Sequence, residues 1–224
     1  MDDVLMDAPL FSALDAEAAA ALLASMNERR LLRGDVLFAE GEPGDRLYVV
    51  TEGKIKLGHG SGDGRESLLA IMGEGEMFGE LSLFDPGPRT STATALTDAV
   101  VLGLGHTALR PWLTGRPEVA ESLLQALAQR LRRTNEAMGD LVFSDVPGRV
   151  AKALLDLSER FGSPTPEGLL VTHDMTQEEL AQLVGASRET VNKALADFAQ
   201  RGWLKLDSRS VVLLDVERLQ RRAR

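Results

Sequence analysis

Five residues near the middle of the chain combine the chemistry needed to hold a nucleotide. Gly79 ends an apolar run, and Arg89, Thr90 and Ser91 follow a Pro-Gly-Pro turn. An oxyanion is held by backbone N–H groups beside glycine, by a guanidinium fork and by a small hydroxyl, and these residues offer all three. The carboxylate of Glu80 would repel a phosphate, but it suits a hydroxyl donor such as a ribose 2′-OH. One anionic and one cationic side chain, a short loop apart, therefore suit a nucleotide.

An ordinary surface turn is the alternative explanation of this segment. Pro86-Gly87-Pro88 excludes regular strand or helix, because proline fixes its φ and has no N–H donor. In that case Glu80 and Arg89 form an exposed ion pair. Short motifs often arise by chance, so local spacing alone leaves both explanations open.

A second set of residues carries side chains that match the edges of DNA bases. Arg188, Glu189, Asn192 and Lys193 lie one helical turn apart in two pairs. Arg and Lys pair with guanine acceptors, Glu with the cytosine amino group and Asn with adenine. A solvated charged face is the alternative, and it is common on any helix. The elements on either side of this face favour DNA binding.

Those neighbouring elements predict a winged helix-turn-helix. The segment 176–179 is a capping box that begins one helix, Gly185 ends that helix, and Ser187 caps the next. Two apolar segments at 203–206 and 211–214 then form the hairpin of a wing. The predicted inner face of the second helix consists of Val191, Ala194, Leu195 and Phe198. We therefore expect this part of the chain to bind DNA.

Upstream, short apolar segments alternate with glycine turns, which predicts an antiparallel sandwich or small barrel. An amphipathic helix from Asp15 to Arg30 precedes them. The predicted strands are Val36–Ala39, Leu47–Val50, Ile55–Leu57, Leu68–Met72, Thr92–Leu96 and Val100–Leu104. Further along the chain, the segment 162–168 contains two prolines and is predicted to be a loop.

A long helix is predicted from Pro117 to about Phe143, because proline favours the first helical position and no other proline follows before Pro147. Its apolar seam alternates steps of four and three residues, the pattern of two helices packed together. The seam consists of Ala120, Leu124, Leu127, Leu131, Thr134, Met138 and Leu141. We interpret it as the helix of a homodimer. Packing against the barrel of the same chain is the alternative.

Two features of this helix bear on function. Thr134 is the polar residue of the seam, and Asn135 follows it. A hydroxyl and an amide at this position can set the register of two helices or hydrogen-bond the heterocycle of a ligand. The segment 144–147 breaks the helix before another begins, so it is a candidate hinge. The predicted parts of the chain are therefore 1–116, 117–144 and 145–224.

Composition limits the classes of function. The 224 residues contain no cysteine, which excludes disulfides, iron–sulfur clusters and cysteine nucleophiles. The start is acidic and no apolar run reaches the length of a membrane span, so we expect a cytoplasmic protein. Residues 145–224 carry 12 basic and 12 acidic side chains, so the net charge of −9 lies on the preceding residues. A part of the chain with no net charge can still bind DNA through a local basic face.

Three ordered blocks of the sequence resemble the cyclic AMP receptor (CRP/FNR) family, most closely its actinobacterial members. They are EGEPGDRLY at 40–48, Gly79-Glu80-Leu81 with Arg89-Thr90, and EELAQLVGASRETV at 178–191. The resemblance covers nearly the whole chain. It implies an α+β fold with an N-terminal jelly-roll β-barrel of the cyclic-nucleotide-binding type, a dimerisation helix and a C-terminal winged helix-turn-helix.

The resemblance also implies an activity and its partners. The expected protein is not an enzyme but an activator or repressor of transcription, with cAMP as its allosteric effector. As a homodimer it would bind double-stranded DNA at a palindromic TGTGA-like site and would contact RNA polymerase. The open alternative is a relative that binds DNA constitutively or with another small anionic effector. A buried charge pair of Glu80 with Arg89 would argue against an empty pocket.

Roles for individual residues follow from the same resemblance. Glu80 is expected to bind the ribose hydroxyl, and Arg89 and Thr90 the cyclic phosphate. Thr134 and Asn135 are expected to contact adenine, with Asn135 reaching the nucleotide of the partner subunit. The remaining nucleotide-site residues are Gly79 and Leu81. The expected DNA contacts are Thr176, Gln177, Ser187, Arg188, Glu189, Asn192 and Lys193, with Arg188, Glu189 and Lys193 in the family's recognition positions.

Two further classes of protein fit the sequence less well. A metalloenzyme on a small barrel needs clustered ligands, but His59, His106 and His173 are scattered singly along the chain. A redox or gas sensor of the same family needs cysteines or an axial haem ligand, and the sequence offers no obvious candidate.

Overall fold

The computed structural model describes residues 5–6, 8–12, 14–60, 66–85 and 87–224. The chain forms two compact units, Met1–Arg132 and Arg133–Arg224. The boundary between the units falls inside the long helix. The three-part division expected from the sequence therefore stays a prediction.

Two four-stranded antiparallel sheets form the framework of the N-terminal unit. The strands are β1 Asn27–Leu31, β2 Val36–Phe38, β3 Arg46–Glu52, β4 Ile55–Gly60, β5 Glu66–Met72, β6 Met77–Phe78, β7 Thr92–Ala95 and β8 Ala99–Gly105. One sheet has the order β1-β8-β3-β6, and the other has the order β2-β7-β4-β5. The antiparallel β fold is confirmed. Within the described residues, the two sheets remain separate rather than closing into one hydrogen-bonded barrel.

Apolar side chains from both sheets share one buried cluster. At its centre the rings of Phe38, Tyr48 and Phe78 lie with their centroids 5.5 to 6.1 Å apart. Stacked and tilted aromatic pairs at such distances add to the stability that burial provides. This aromatic cluster also supports the candidate site described below.

The helix predicted from Asp15 to Arg30 is wrong in its second half. Helix α1 spans Ala16–Ala24 and ends at Ser25, whose hydroxyl donates to backbone carbonyls of the last turn. The next segment is β1, which pairs with β8 from Asn27 opposite Gly103 to Leu31 opposite Ala99. Four of the five β1 residues are exposed and show no apolar alternation. The strand is therefore defined by its pairing with β8, which local sequence does not reveal.

Three further helices complete this unit and lead out of it. The single turn α2 (Leu81–Phe84) follows Glu80, and α3 (His106–Gly115) follows β8. Helix α4 spans Pro117–Phe143, as predicted. Its first turns bury Val119 and Leu123, whereas much of the predicted seam lies exposed on the single chain. The exposed fractions are 64% for Leu124, 62% for Leu131, 61% for Met138 and 57% for Leu141.

The C-terminal unit is a helix-turn-helix with a four-stranded antiparallel sheet of order β11-β12-β10-β9. Its elements are α5 Val146–Phe161, β9 Gly162–Thr165, β10 Gly168–Thr172, α6 Gln177–Val184, α7 Arg188–Gln200, β11 Leu204–Asp207, β12 Ser210–Leu213 and α8 Val216–Arg222. The β11–β12 hairpin confirms the predicted wing. The loop predicted at 162–168 is wrong, because β9 pairs with β10. Pro164 is tolerated because β9 is an edge strand, where a missing N–H donor costs least.

Candidate functional site

Arg89 is a buried cation at the centre of the candidate nucleotide cleft, with 4% of its surface exposed. Its Nη1 donates to the Gly79 carbonyl at 2.8 Å and its Nη2 to the Arg46 carbonyl at 2.9 Å. The guanidinium carbon lies 4.1 Å from the centroid of the Phe38 ring. Burial lowers the pKa of Arg89, but an arginine remains protonated at neutral pH. The protein therefore holds a fixed positive charge in this cleft.

The Nε donor of Arg89 is unused among the described residues. Its Nε is buried and has no hydrogen-bond partner among the described residues. The backbone of Gly79 lies close against the guanidinium, since a Cβ on Gly79 would lie 2.9 Å from the Arg89 Nη1. Gly79 also has a φ of +77°, which favours glycine. The unused donor thus belongs to a rigidly held guanidinium.

Glu80 pairs with a residue that sequence reasoning missed. Its carboxylate is 1% exposed, and Oε1 accepts from Nη1 of Arg130 at 2.8 Å. The expected pairing of Glu80 with Arg89, exposed or buried, is wrong, because Arg89 donates to backbone carbonyls instead. Arg130 lies on α4, four residues before Thr134 in the sequence, and that spacing was the available signal. The second oxygen, Oε2, is buried without a partner among the described residues.

A narrow cleft with an internal volume of about 20 Å³ brings these groups together. It is lined by Phe38, Leu57, Gly79, Glu80, Leu81, Ser82, Arg89, Thr90, Ser91 and Arg130. An unused buried donor and an unused buried acceptor fit a ligand that carries both an oxyanion and a hydroxyl. Of the turn before Arg89, Gly87 and Pro88 are exposed, while Pro86 lies outside the described residues.

Thr134 and Asn135 lie exposed on α4 in the C-terminal unit. Their expected contact with a base stays a prediction. Leu81 and Thr90 are also exposed, whereas Ser82 and Ser91 are buried hydroxyls of the cleft.

The helix-turn-helix forms by the local rules that predicted it. Thr176 accepts from the Glu179 N–H, and Glu179 accepts from the Thr176 N–H, which completes the capping box. Gly185 has a φ of +68° and ends α6, and Ser187 accepts from the Thr190 N–H to begin α7. The predicted inner face is buried at Val191, Ala194, Leu195 and Phe198. The opposite face of α7 is therefore oriented outward.

The outer face of α7 carries the predicted DNA-contacting side chains. Arg188, Glu189 and Lys193 are exposed, and the Lys193 ammonium lies 2.8 Å from the Glu189 carboxylate. Asn192 differs, because it is half-buried and its Nδ2 donates to Oε1 of Gln177 at 3.1 Å. The hydroxyls of Thr176 and Ser187 take part in capping.

The candidate hinge at 144–147 is held by contacts within the C-terminal unit. Arg149 donates to the Ser144 carbonyl at 2.8 Å, and to the carbonyls of Val184 and Gly185 at 3.0 and 3.2 Å. Its guanidinium thus joins the end of α4 to the turn before α7. Asp145 caps α5 and accepts from Arg222 at 2.6 and 2.7 Å, and hydrogen bonding to Arg222 lowers the Asp145 pKa. Hinge motion at this segment stays a prediction.

Histidines and acidic side chains do not cluster in the part of the chain that the structure describes. These residues contain no group of three His, Cys, Asp or Glu side chains able to hold a metal ion. His59 lies 2.8 Å from Glu40, and Nδ1 of His173 accepts from the Met175 N–H. Within the same described ranges, no helix is both long and apolar enough to cross a membrane.

Known proteins match both units. Residues 28–114 match the family described as "Cyclic nucleotide-binding domain", and residues 148–222 match "Crp-like helix-turn-helix domain". The chain is 58% identical, over 100% of both sequences, to the "CRP-like cAMP-activated global transcriptional regulator" of Mycobacterium tuberculosis.

Solved structures show the same likeness. A CRP-family transcriptional regulator from Thermus thermophilus is 31% identical with a TM-score of 0.74, over 87% of this chain and 96% of that one. The c-di-GMP responsive global regulator CLP of Xanthomonas campestris is 30% identical with a TM-score of 0.74, over 89% of this chain and 99% of that one.

Proposed function

The chain belongs to the CRP/FNR family of transcription regulators, and we propose that cAMP is the ligand that controls its binding to DNA. The N-terminal unit carries the cyclic-nucleotide-binding domain, and the C-terminal unit carries the Crp-like helix-turn-helix. Members of this family are regulators of transcription rather than enzymes.

The observation that carries the choice of ligand is the pair of unused buried groups in the cleft. The Arg89 Nε is a donor without an acceptor among the described residues, and the Glu80 Oε2 is an acceptor without a donor there. A cyclic nucleotide supplies a phosphate acceptor and a ribose 2′-hydroxyl donor, so it satisfies both. Arg89 is assigned to the phosphate and Glu80 to the hydroxyl. Arg130 holds the Glu80 carboxylate in place through the 2.8 Å ion pair.

The remaining nucleotide contacts are proposed from the resemblance to the family. Thr90, beside Arg89 in the cleft lining, supplies a hydroxyl to the phosphate. Gly79 and Leu81 line the same cleft. Thr134 and Asn135 are assigned to adenine, with Asn135 reaching the nucleotide bound by a second copy of the chain.

The proposed DNA interface is the outer face of α7 together with the beginning of α6. Arg188, Glu189 and Lys193 are exposed and carry donors and acceptors for base edges. Thr176, Gln177 and Ser187 lie at the first turns of the two helices, where backbone N–H groups favour phosphate oxygens. We assign a palindromic site with TGTGA-like half-sites.

A homodimer is proposed because the α4 seam is apolar and exposed on the single chain. Leucines and a methionine more than half exposed along one helix are costly in water, and a second copy of α4 would cover them. A two-fold dimer reads half-sites roughly 10 base pairs apart. RNA polymerase is the further proposed partner, through which a bound dimer would act on a promoter.

The two sites are proposed to be linked, so that cAMP raises the affinity for DNA. Coupling of about 1–3 kcal/mol corresponds to about five- to 150-fold in affinity. Calorimetric titration with cAMP, cGMP and c-di-GMP, followed by DNA binding with and without each ligand, tests the proposal. The expected result is that cAMP binds most tightly and produces the largest gain in DNA affinity. No heat with cAMP, or a gain with c-di-GMP alone, would contradict it.

A second candidate is control by a different anionic effector, because the Xanthomonas relative is described as c-di-GMP responsive. Constitutive DNA binding is the third outcome of the same experiment. Both retain the DNA-binding assignment and change only the ligand of the cleft.

A further inference from the structure

Asn192 stands apart from its neighbours on the outer face of α7. Arg188, Glu189 and Lys193 are exposed, whereas Asn192 is half-buried. Its Nδ2 donates to Oε1 of Gln177, the first residue of α6, at 3.1 Å. Its Oδ1 is enclosed and has no partner among the described residues. The side chain is therefore directed at the neighbouring helix.

This geometry conflicts with direct reading of adenine. An asparagine that recognises adenine uses Oδ1 and Nδ2 together against the two groups of the base edge. In Asn192 the Nδ2 group is shared with Gln177, and Oδ1 is inaccessible to an outside donor. Since Nδ2 carries a second N–H, the enclosed Oδ1 is the obstacle, and it would have to be withdrawn before both groups of the adenine edge could be paired.

Starting from the DNA interface proposed above, on which this inference rests, we infer that Asn192 is a positioning residue that orients Gln177 toward the DNA backbone. A glutamine amide has one acceptor oxygen and one donor nitrogen at the tip of its fork. Because Oε1 is used by Asn192, the Nε2 donor is the group that Gln177 can offer to a ligand. Phosphate oxygens only accept hydrogen bonds, so this orientation suits a phosphate and not a base acceptor–donor pair.

Thr176, the residue before Gln177, already uses its hydroxyl within the protein. The Thr176 hydroxyl, which precedes Gln177, is hydrogen-bonded to Glu179 within the capping box. Gln177 is exposed and is the next side chain at the beginning of α6. The Gln177 amide, oriented by Asn192 of α7, thus provides a phosphate contact without a positive charge. The hydrogen bond between the two amides also holds α6 and α7 together at the DNA surface.

The test is a double-mutant cycle with Gln177→Ala, Asn192→Ala and the double variant, with Gln200→Ala as a control. Gln200 is an exposed amide at the end of the same helix. Affinities are measured at fixed salt and saturating cAMP on a palindromic duplex with TGTGA-like half-sites, and on duplexes with one base pair replaced at a time. Thermal unfolding confirms that each variant is folded.

Each single variant is expected to weaken binding about three- to tenfold, equally on every duplex, as the loss of one hydrogen bond predicts. The double variant should bind no more weakly than the weaker single variant, because both substitutions remove the same contact. In Asn192→Ala, the side-chain amide NMR resonances of Gln177 should also shift. Gln200→Ala should bind as wild type.

Three results would overturn the inference. Relaxed preference at one base pair in Asn192→Ala would make Asn192 a base-reading residue. Multiplicative effects in the double variant would show that the two amides act independently. Wild-type affinity in both single variants would show that the bridge has no role in DNA binding. Gln177→Glu adds a check, because it keeps the acceptor for Asn192 but lacks the donor, and it should bind at least as weakly as Gln177→Ala.

Discussion

Replacing Arg89 by leucine removes the fixed positive charge from the candidate nucleotide cleft. The change keeps the apolar first part of the side chain but removes the guanidinium, whose carbon lies 4.1 Å from the centroid of the Phe38 ring. Glu80 keeps its 2.8 Å ion pair with Arg130. The variant therefore affects the proposed phosphate contact and leaves the carboxylate side of the cleft intact.

The expected loss can be worked from the contacts of Arg89. A charge-assisted hydrogen bond to phosphate is worth about 1.5–3 kcal/mol, so cAMP affinity should fall at least about tenfold. The substitution also leaves the Gly79 and Arg46 carbonyls without their donors, now at 2.8 and 2.9 Å. Each unsatisfied acceptor costs up to about 1–3 kcal/mol, so the variant should unfold at a lower temperature while remaining folded, with the oligomeric state of the wild type, at 25 °C.

Calorimetry with cAMP and DNA binding with and without cAMP measure the effect, with Arg46→Leu as a control. The Arg46 side chain pairs with Asp45 and does not line the cleft, and its carbonyl is retained in the variant. Arg89→Leu should keep the basal DNA affinity and lose the gain on adding cAMP, whereas Arg46→Leu should respond as wild type. An unaltered cAMP titration in Arg89→Leu would refute the phosphate assignment.

Four other changes have defined outcomes. Arg188→Ala should reduce the binding free energy for the cognate duplex by about 1–3 kcal/mol and relax the preference at one base pair. Equal losses on cognate and scrambled duplexes would make Arg188 a phosphate contact. Asn135→Ala should weaken both cAMP binding and the effect of cAMP on DNA affinity, and it should sediment as the proposed dimer. Wild-type values would contradict the assignment of Asn135 to the nucleotide of a second copy. Arg130→Leu leaves the buried Glu80 carboxylate without its cation. Because the Arg130 side chain is 38% exposed and solvent screens the pair, we expect the unfolding free energy to fall by only about 1–2 kcal/mol, and cAMP binding to weaken. Asp145→Asn keeps the helix cap but removes the carboxylate, whose pKa is lowered by its hydrogen bond to Arg222. In urea unfolding the variant should therefore be less stable than wild type above about pH 4, and this difference should vanish as the pH falls further. A difference independent of pH would argue against the ion pair.

The helix-turn-helix shows what local sequence can determine. The capping box at Thr176 and Glu179, the left-handed Gly185 and the Ser187 cap are all formed as predicted. Each depends on residues within four positions of one another, so the sequence contains the whole interaction. The start of α4 at Pro117 follows from the same kind of rule.

Two edge strands, β1 and β9, show where the local sequence does not predict the secondary structure. β1 carries a run of polar and charged residues that continued a helical pattern, and β9 contains Pro164, which indicated a loop. Both are edge strands, each hydrogen-bonded to a single neighbour: β1 pairs with β8, more than 60 residues further along the chain, and β9 forms a hairpin with the next strand, β10. Edge strands often carry charged residues or proline, which prevent their free edge from pairing with another chain, so their sequences differ from the usual strand pattern.

The amino-acid sequence alone determined the chemical identity of the cleft: a glycine, a carboxylate, an arginine and small hydroxyls in one short segment, which indicate a phosphate and a hydroxyl as ligands. Tertiary structure alone decided how their charges are arranged. Glu80 pairs with Arg130, 50 residues away, while Arg89 donates to backbone carbonyls and keeps Nε unused among the described residues. The type of a residue is local, but the partner of a buried charge is whichever opposite charge or dipole the folded chain brings within about 3 Å, and that follows from the path of the whole chain.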